Sequence, residues 1–189
     1  MHDVPDHDPE HDPGWQWSWR TLSVFLPFVG LRTAGRPGGD SLQTLRSIFV
    51  GFCTMVVLIG VVVLILGDVN PEQADRPGVS VPLVVAGCAV ALVLQRLVPR
   101  PLDDSDPAAL ATSYRTRFFL RLAFAEACAL LAFVACIAVG PAWVYAIGLV
   151  GALVGFRTAA PSRANLRADQ DALGLRGCTT SLVGSLRSS

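Results

Sequence analysis

Apolar and polar positions fall in long blocks along this chain rather than alternating at short period. No charged residue occurs from Ile48 to Gly67 or from Gly78 to Gln95, and each run has about the length a helix needs to cross ~30 Å of hydrocarbon. A third apolar block, Phe118 to Phe156, would reach roughly 60 Å as one helix and must therefore fold back. Gly140-Pro141 lies where a tight turn divides it. Four spans are predicted, at about 47–67, 79–98, 118–139 and 142–156, the last being short at about 23 Å. The abundance of Val and Ile does not argue for strands, because a lone segment in lipid satisfies its backbone only as a helix. The expected fold class is all-α: an integral membrane helical bundle of four transmembrane helices over 47–156.

The flanks read differently. Residues 1–14 (MHDVPDHDPEHDPG) hold three Pro, five acids and every His of the chain; such a segment buries too little apolar surface to offset its ordering entropy and is expected to be disordered. Residues 15–46 begin with Trp15, Trp17 and Trp19 and a short apolar stretch interrupted by Pro27. An interfacial segment with Arg20 and Arg32 toward lipid phosphates is one reading; aromatics packed sideways on the bundle are the other. TAGRPGGD then forms a linker. In the second connection, a short surface helix is expected after Asp106-Pro107. In the tail, 157–189, Ser162 is placed to cap a helix through Leu173 and Thr180 another through Leu186. Leu166, Leu173, Leu182, Val183 and Leu186 are then available to face lipid or one another.

Charge adds orientation. All fifteen basic residues are Arg, and topology follows their distribution near span ends rather than net charge. Arg32, Arg36 and Arg46 precede the first span; Arg76 stands alone between the first two; Arg96, Arg100, Arg115, Arg117 and Arg121 surround the second connection. The Gly140-Pro141 turn has none, and the tail carries Arg157, Arg163, Arg167, Arg176 and Arg187. The excess alternates at every crossing, so both termini are expected in the cytoplasm, with the chain multi-pass in the bacterial cell membrane and the bilayer as its first partner.

A net charge of +0 and no run of basic residues interleaved with aromatics exclude a nucleic-acid partner from the expectations. The five cysteines are scattered, without a C-x-x-C pair, and read as small apolar residues. His2, His7 and His11 alternate with Asp, but their spacing fixes no coordination geometry; no metal and no cofactor are expected. The all-Arg composition, rich in Ala, Gly, Val and Pro, suggests a GC-rich genome, and in layout the chain resembles the multi-pass membrane proteins common in high-GC actinobacteria. That resemblance implies a location rather than an activity.

One residue stands out for chemistry. Glu126 is the only acid within any span and lies roughly 13 Å from the start of the third, near mid-membrane. An ionised acid there costs about 2.5 kcal/mol or more, so it is expected to face protein. Gln95 and Tyr145, with Thr54, are the polar groups that would join it in a proton or ion site; a hydrogen bond from Glu126 to a carbonyl or to Gln95 is the structural alternative. Ala125, Ala129 and Ala132 in the third span and Gly148, Gly151, Ala152 and Gly155 in the fourth give small faces suited to close helix packing, with G-x-x-x-G at 151 and 155. The stretch FFLRLAFAEACALLAFV is similar to the carboxyl-bearing helix of the rotary ATP synthase proteolipid subunit, which implies a proton-binding role for Glu126. No H-E-x-x-H, G-x-S-x-G or P-loop is present, and no enzymatic activity is expected. Two functions follow: an accessory or scaffolding protein that binds other membrane proteins or itself, or a proton or small-solute transport component built on Glu126.

Overall fold

The computed structural model describes residues 41–69, 77–97, 101–138 and 141–188. The expectations for the acidic His tail, the Trp segment and the linker up to residue 40 lie outside the described residues. Among those described, the chain is helical with no strand. In order, the helices are α1 (Ser41–Val69), α2 (Pro77–Leu97), α3 (Pro107–Ala138), α4 (Val144–Ala159), α5 (Arg163–Gly174) and α6 (Leu182–Ser188). α1, α2 and α3 are each long and apolar enough to cross a membrane; α4, with 16 residues, reaches that standard only when counted together with α5. The chain therefore has three to four candidate spans.

The boundaries follow local chemistry. Pro77 opens α2 and Asp106-Pro107 opens α3, where a proline costs nothing because the first helical N–H groups have no intrahelical acceptor. The Asp106 carboxylate accepts from Ala109 N–H at 2.8 Å, and its carbonyl from Leu110 N–H at 3.0 Å. The short surface helix expected there does not stop: between Pro107 and Ala138 there is no Gly or Pro to break it, so it runs on into the third span as one helix of 32 residues. α4 lacks a side-chain cap; Val144, Tyr145 and Ala146 N–H instead donate three residues back, to Pro141, Ala142 and Trp143. At its far end Ala160 turns extended, as a residue before proline must. Ser162 caps α5 by accepting from Asn165 N–H at 3.3 Å. For α6, Ser181 rather than Thr180 takes the capping place, because the Thr180 carbonyl is engaged by Gln170.

The chain divides into two compact units. The first comprises the described residues up to Val50, Leu102–Arg115, and the chain from Pro161 on. Its core is leucine-rich: Leu42, Leu45, Leu110, Leu166, Leu173, Leu182 and Leu186 are all buried. The tail leucines thus pack inward. Gln170 ties α5 to α6 by donating to Thr180 O at 3.2 Å and accepting from Leu182 N–H at 2.7 Å, while Arg176 reaches Leu102 O at 3.1 Å. Arg46, read from sequence only as a charge beside the first span, is completely buried here, and its Nε donates to Pro161 O at 3.3 Å.

On the surface of this unit, Asp103 accepts the Ser105 N–H at 3.1 Å. That backbone hydrogen bond, with a contribution from the Ser105 side chain, holds its carboxyl below the ordinary aspartate value. Because the folded form prefers the ionised acid, the turn is favoured above the unfolded pKa and loses that support as pH falls through the folded one. A carbon-detected NMR titration is expected to place the Asp103 midpoint below the ordinary aspartate value.

The second unit holds Gly51–Pro101 and Thr116–Ala160. Its interior includes many small and polar residues, Ala125, Cys128, Ala129, Ala132, Ala152, Ser80 and Gln95, beside a few large ones such as Phe118, Leu122 and Phe156. Its exterior is large and apolar, as at Leu64 (64% exposed), Val57, Leu83, Val90 and Val150. A water-soluble domain has the opposite arrangement, and this one suits a hydrocarbon solvent, where close backbone approach rather than apolar burial drives helix association.

Candidate functional site

The second unit is assembled around α4. α2 presents one stripe to its neighbours, Ser80, Val84, Cys88, Ala91 and Gln95, at helical spacing. α3 contributes Ala125, Cys128 and Ala132, against which α4 lays Gly148, Gly151 and Gly155. The approach leaves no room for side chains. A Cβ on Gly148 would lie 2.5 Å from Cys128 O and would also strike Ala132 Cβ; one on Gly155 would lie 2.6 Å from Ala125 Cβ and 2.9 Å from Ala125 Cα. At Gly151 the same point is 3.1 Å from Cys88 Sγ and 3.3 Å from Cys128 Cβ, so the two thiols flank that glycine from α2 and α3. Cys88 Sγ lies 3.9 Å from Cys128 O and Cys128 Sγ 4.0 Å from Cys88 O, a reciprocal pair of weak donors.

Gln95 closes this interface at one end. Its side chain is buried, and Nε2 donates both hydrogens, to Gly155 O at 2.9 Å and to Arg121 O at 3.1 Å. One amide thereby joins three helices. In a membrane such a bond contributes about 0.6 kcal/mol on average and up to about 1.7 kcal/mol. Gln95→Leu is accordingly expected to lower stability by about 1–3 kcal/mol in a detergent unfolding titration, whereas Gln95→Glu turns a carboxylate toward the same two carbonyls and is expected to cost more.

Tyr145 is engaged elsewhere. Trp143 is exposed, but Tyr145 turns inward and its hydroxyl donates to Val56 O at 2.6 Å. Val56 O lies within α1, where the residue four positions on normally shields a helical carbonyl. That residue is Gly60, whose Cβ, if present, would lie 2.9 Å from Tyr145 Cε1. The missing side chain is what admits the phenol. The sequence signal for this pairing, missed by sequence reasoning, is Gly60 as the one small residue in the stretch Met55–Leu66.

Glu126 stands apart from both. It is half-buried on the flank of α3, next to buried Ala125 and Ala129 and exposed Ala123 and Leu130. Among the described residues, no hydrogen-bond donor or charged group of the chain acts on its carboxyl. Gln95 binds at the level of Arg121, about 8 Å back along α3. Tyr145 follows the turn whose carbonyls Cys136 Sγ approaches, at 3.5 Å from Pro141 O, so it lies near Cys136, about 15 Å onward. The three polar residues grouped by sequence reading are thus strung along roughly 20 Å of helix axis, and two of them are committed to carbonyls. Among the described residues there is no cluster of three His, Cys, Asp or Glu suited to a metal ion; the histidines lie outside them.

Comparison with protein-family models, with curated proteins and with solved structures finds no match to this chain.

Proposed function

We propose that the chain is an accessory or scaffolding protein of the bacterial cytoplasmic membrane, with four spans and both termini in the cytoplasm. It binds other membrane proteins and catalyses no reaction of its own. The observation that carries this reading is the makeup of the first unit. It gathers the start of α1, the connection Leu102–Arg115 and the chain after Pro161 into one core, and these are the segments whose arginines mark the cytoplasmic side. Segments that share a core share a side of the membrane, so the chain crosses an even number of times between them. Two crossings by α1 and α2 and two by α3 and α4 meet that condition, which supports α4 as a returning span despite its 16 residues. A folded unit built from a connection and the chain's tail is suited to hold a partner.

Within the second unit, Gln95 and Tyr145 are spent on structural hydrogen bonds, which speaks for a fixed body rather than a relay. Mild-detergent purification of the tagged protein from its native membrane, with quantitative mass spectrometry, tests the proposal. A stoichiometric partner is the expected result; a protein always alone, with no complex altered by its deletion, would overturn it. Labelling by a membrane-impermeant maleimide tests the topology: a cysteine at Ser113 is expected to react only in inverted vesicles, one at Asp75 only in intact cells.

The carboxyl of Glu126, which has no hydrogen-bond or charged partner among the described residues, favours one further reading, a proton or small-solute transport component. It requires Glu126→Gln to abolish flux while the protein accumulates normally, and normal flux would sink it.

A further inference from the structure

We infer that α3 carries a binding seam, centred on Glu126, for a transmembrane helix of another protein that bears a Lys or Arg at mid-membrane depth. The inference rests on the scaffolding reading and gives it a place and a partner chemistry.

α3 has two neighbouring stripes spaced alternately four and three residues apart. Phe118, Leu122, Ala125, Ala129, Ala132 and Cys136 form the first, and every one is buried within the second unit. One residue on, Phe119, Ala123, Glu126, Leu130, Phe133 and Ile137 form the second, and each is exposed or half-buried. A repeat averaging 3.5 residues is the geometry by which one helix seats along another. Large side chains mark both ends of the vacant seam, with Phe119, Leu130 and Ile137 each more than 40% exposed. The small Ala123 lies one turn from the carboxyl, where a long partner side chain needs room.

Charge decides the occupant. An ionisable group at mid-membrane depth is costly unless it meets a partner, and none of the described residues supplies one. Lipid tails offer no donor. A second copy offers none at that depth either, since its spans contain no Lys, their Arg residues lie toward the ends, and the same seam would bring a second Glu126. A helix with a basic residue at the matching depth satisfies the carboxylate and loses its own desolvation penalty in the same contact.

The test uses the full-length protein in phosphatidylcholine vesicles with a labelled polyleucine transmembrane peptide carrying one central Lys, against the all-Leu peptide. Energy transfer is expected to show the Lys peptide binding about tenfold more tightly. Glu126→Gln and, independently, Ala123→Trp should each reduce it to the all-Leu level, while Val90→Trp, on an exposed face of α2, should not. Equal binding of the two peptides, or a Lys preference that survives both α3 substitutions, overturns the seam. So does Glu126-dependent pairing of two copies that the Lys peptide fails to displace. If Glu126→Gln recovers the native partner as well as wild type does, the seam is wrong and the scaffolding reading stands. A Lys preference as described, with no partner in native membranes, upholds the seam and removes the scaffolding reading instead.

Discussion

Gly148→Ala is expected to destabilise the second unit by about 3 kcal/mol, a large cost for a single methyl group. The new Cβ would sit 2.5 Å from Cys128 O and against Ala132 Cβ. Neither is the free end of a flexible side chain that can swing away; one is helix backbone and the other is fixed to it. The only relief is to move α4 off α3, which also stretches the Gln95 bond to Gly155 O. Overpacking of this kind commonly costs 1–3 kcal/mol and more where backbone must shift. Unfolding in an SDS titration, followed by circular dichroism, reads the effect. Gly78→Ala is the control, because nothing lies within 4 Å of its Cβ position, and it is expected to change stability by less than about 0.5 kcal/mol. If Gly148→Ala unfolds at the wild-type SDS fraction, the close packing of α3 and α4 does not hold the unit together.

Arg46→Leu is expected to loosen the first unit by about 2–4 kcal/mol. Arg46 is wholly buried, and its Nε bond to Pro161 O is one of the interactions that hold it. Leucine fills less of the space and leaves the Pro161 carbonyl, at the entry to α5, without that donor. A buried polar group left unsatisfied costs more than the bond itself contributed. Hydrogen exchange is the direct readout: amides of α5 and α6 should exchange faster, while those of α4 keep their protection. Arg46→Lys should fall between, since an ammonium carries the charge but lacks the planar guanidinium with its fixed Nε–H. Unchanged exchange in α5 and α6 would mean that the leucine core, Leu42, Leu173, Leu182 and Leu186, suffices without the arginine.

How far the sequence could be read follows from which forces act locally. Uncharged runs of spanning length identified the regions of α1 and α2, because the requirement that a lipid-exposed segment satisfy its own backbone is met within a single helix. Ser162 was legible as a cap for the same reason: the bond closes within three residues. The end of the surface helix after Pro107 was misjudged because a change from polar to apolar composition is not a break; α3 crosses it without interruption. Pattern reports the solvent around a helix, while only Gly, Pro or a cap reports its end.

The candidate site divides along the same line. Glycines 148, 151 and 155 were recognisable as a packing face from spacing alone, and Glu126 as the lone acid in a span. The sequence by itself determined the helical class, the apolar regions and the inventory of polar groups inside them, since these depend on composition and on hydrogen bonds between near neighbours. Tertiary structure decided what each polar group does. Gln95 meets two carbonyls on two other helices, Tyr145 enters a gap left by Gly60, and Arg46 is turned from a boundary charge into part of a core. Those partners are 26 to 115 residues away in the chain. A contact between residues so far apart is set by helix register and packing rather than by local pattern, and no local rule reaches it.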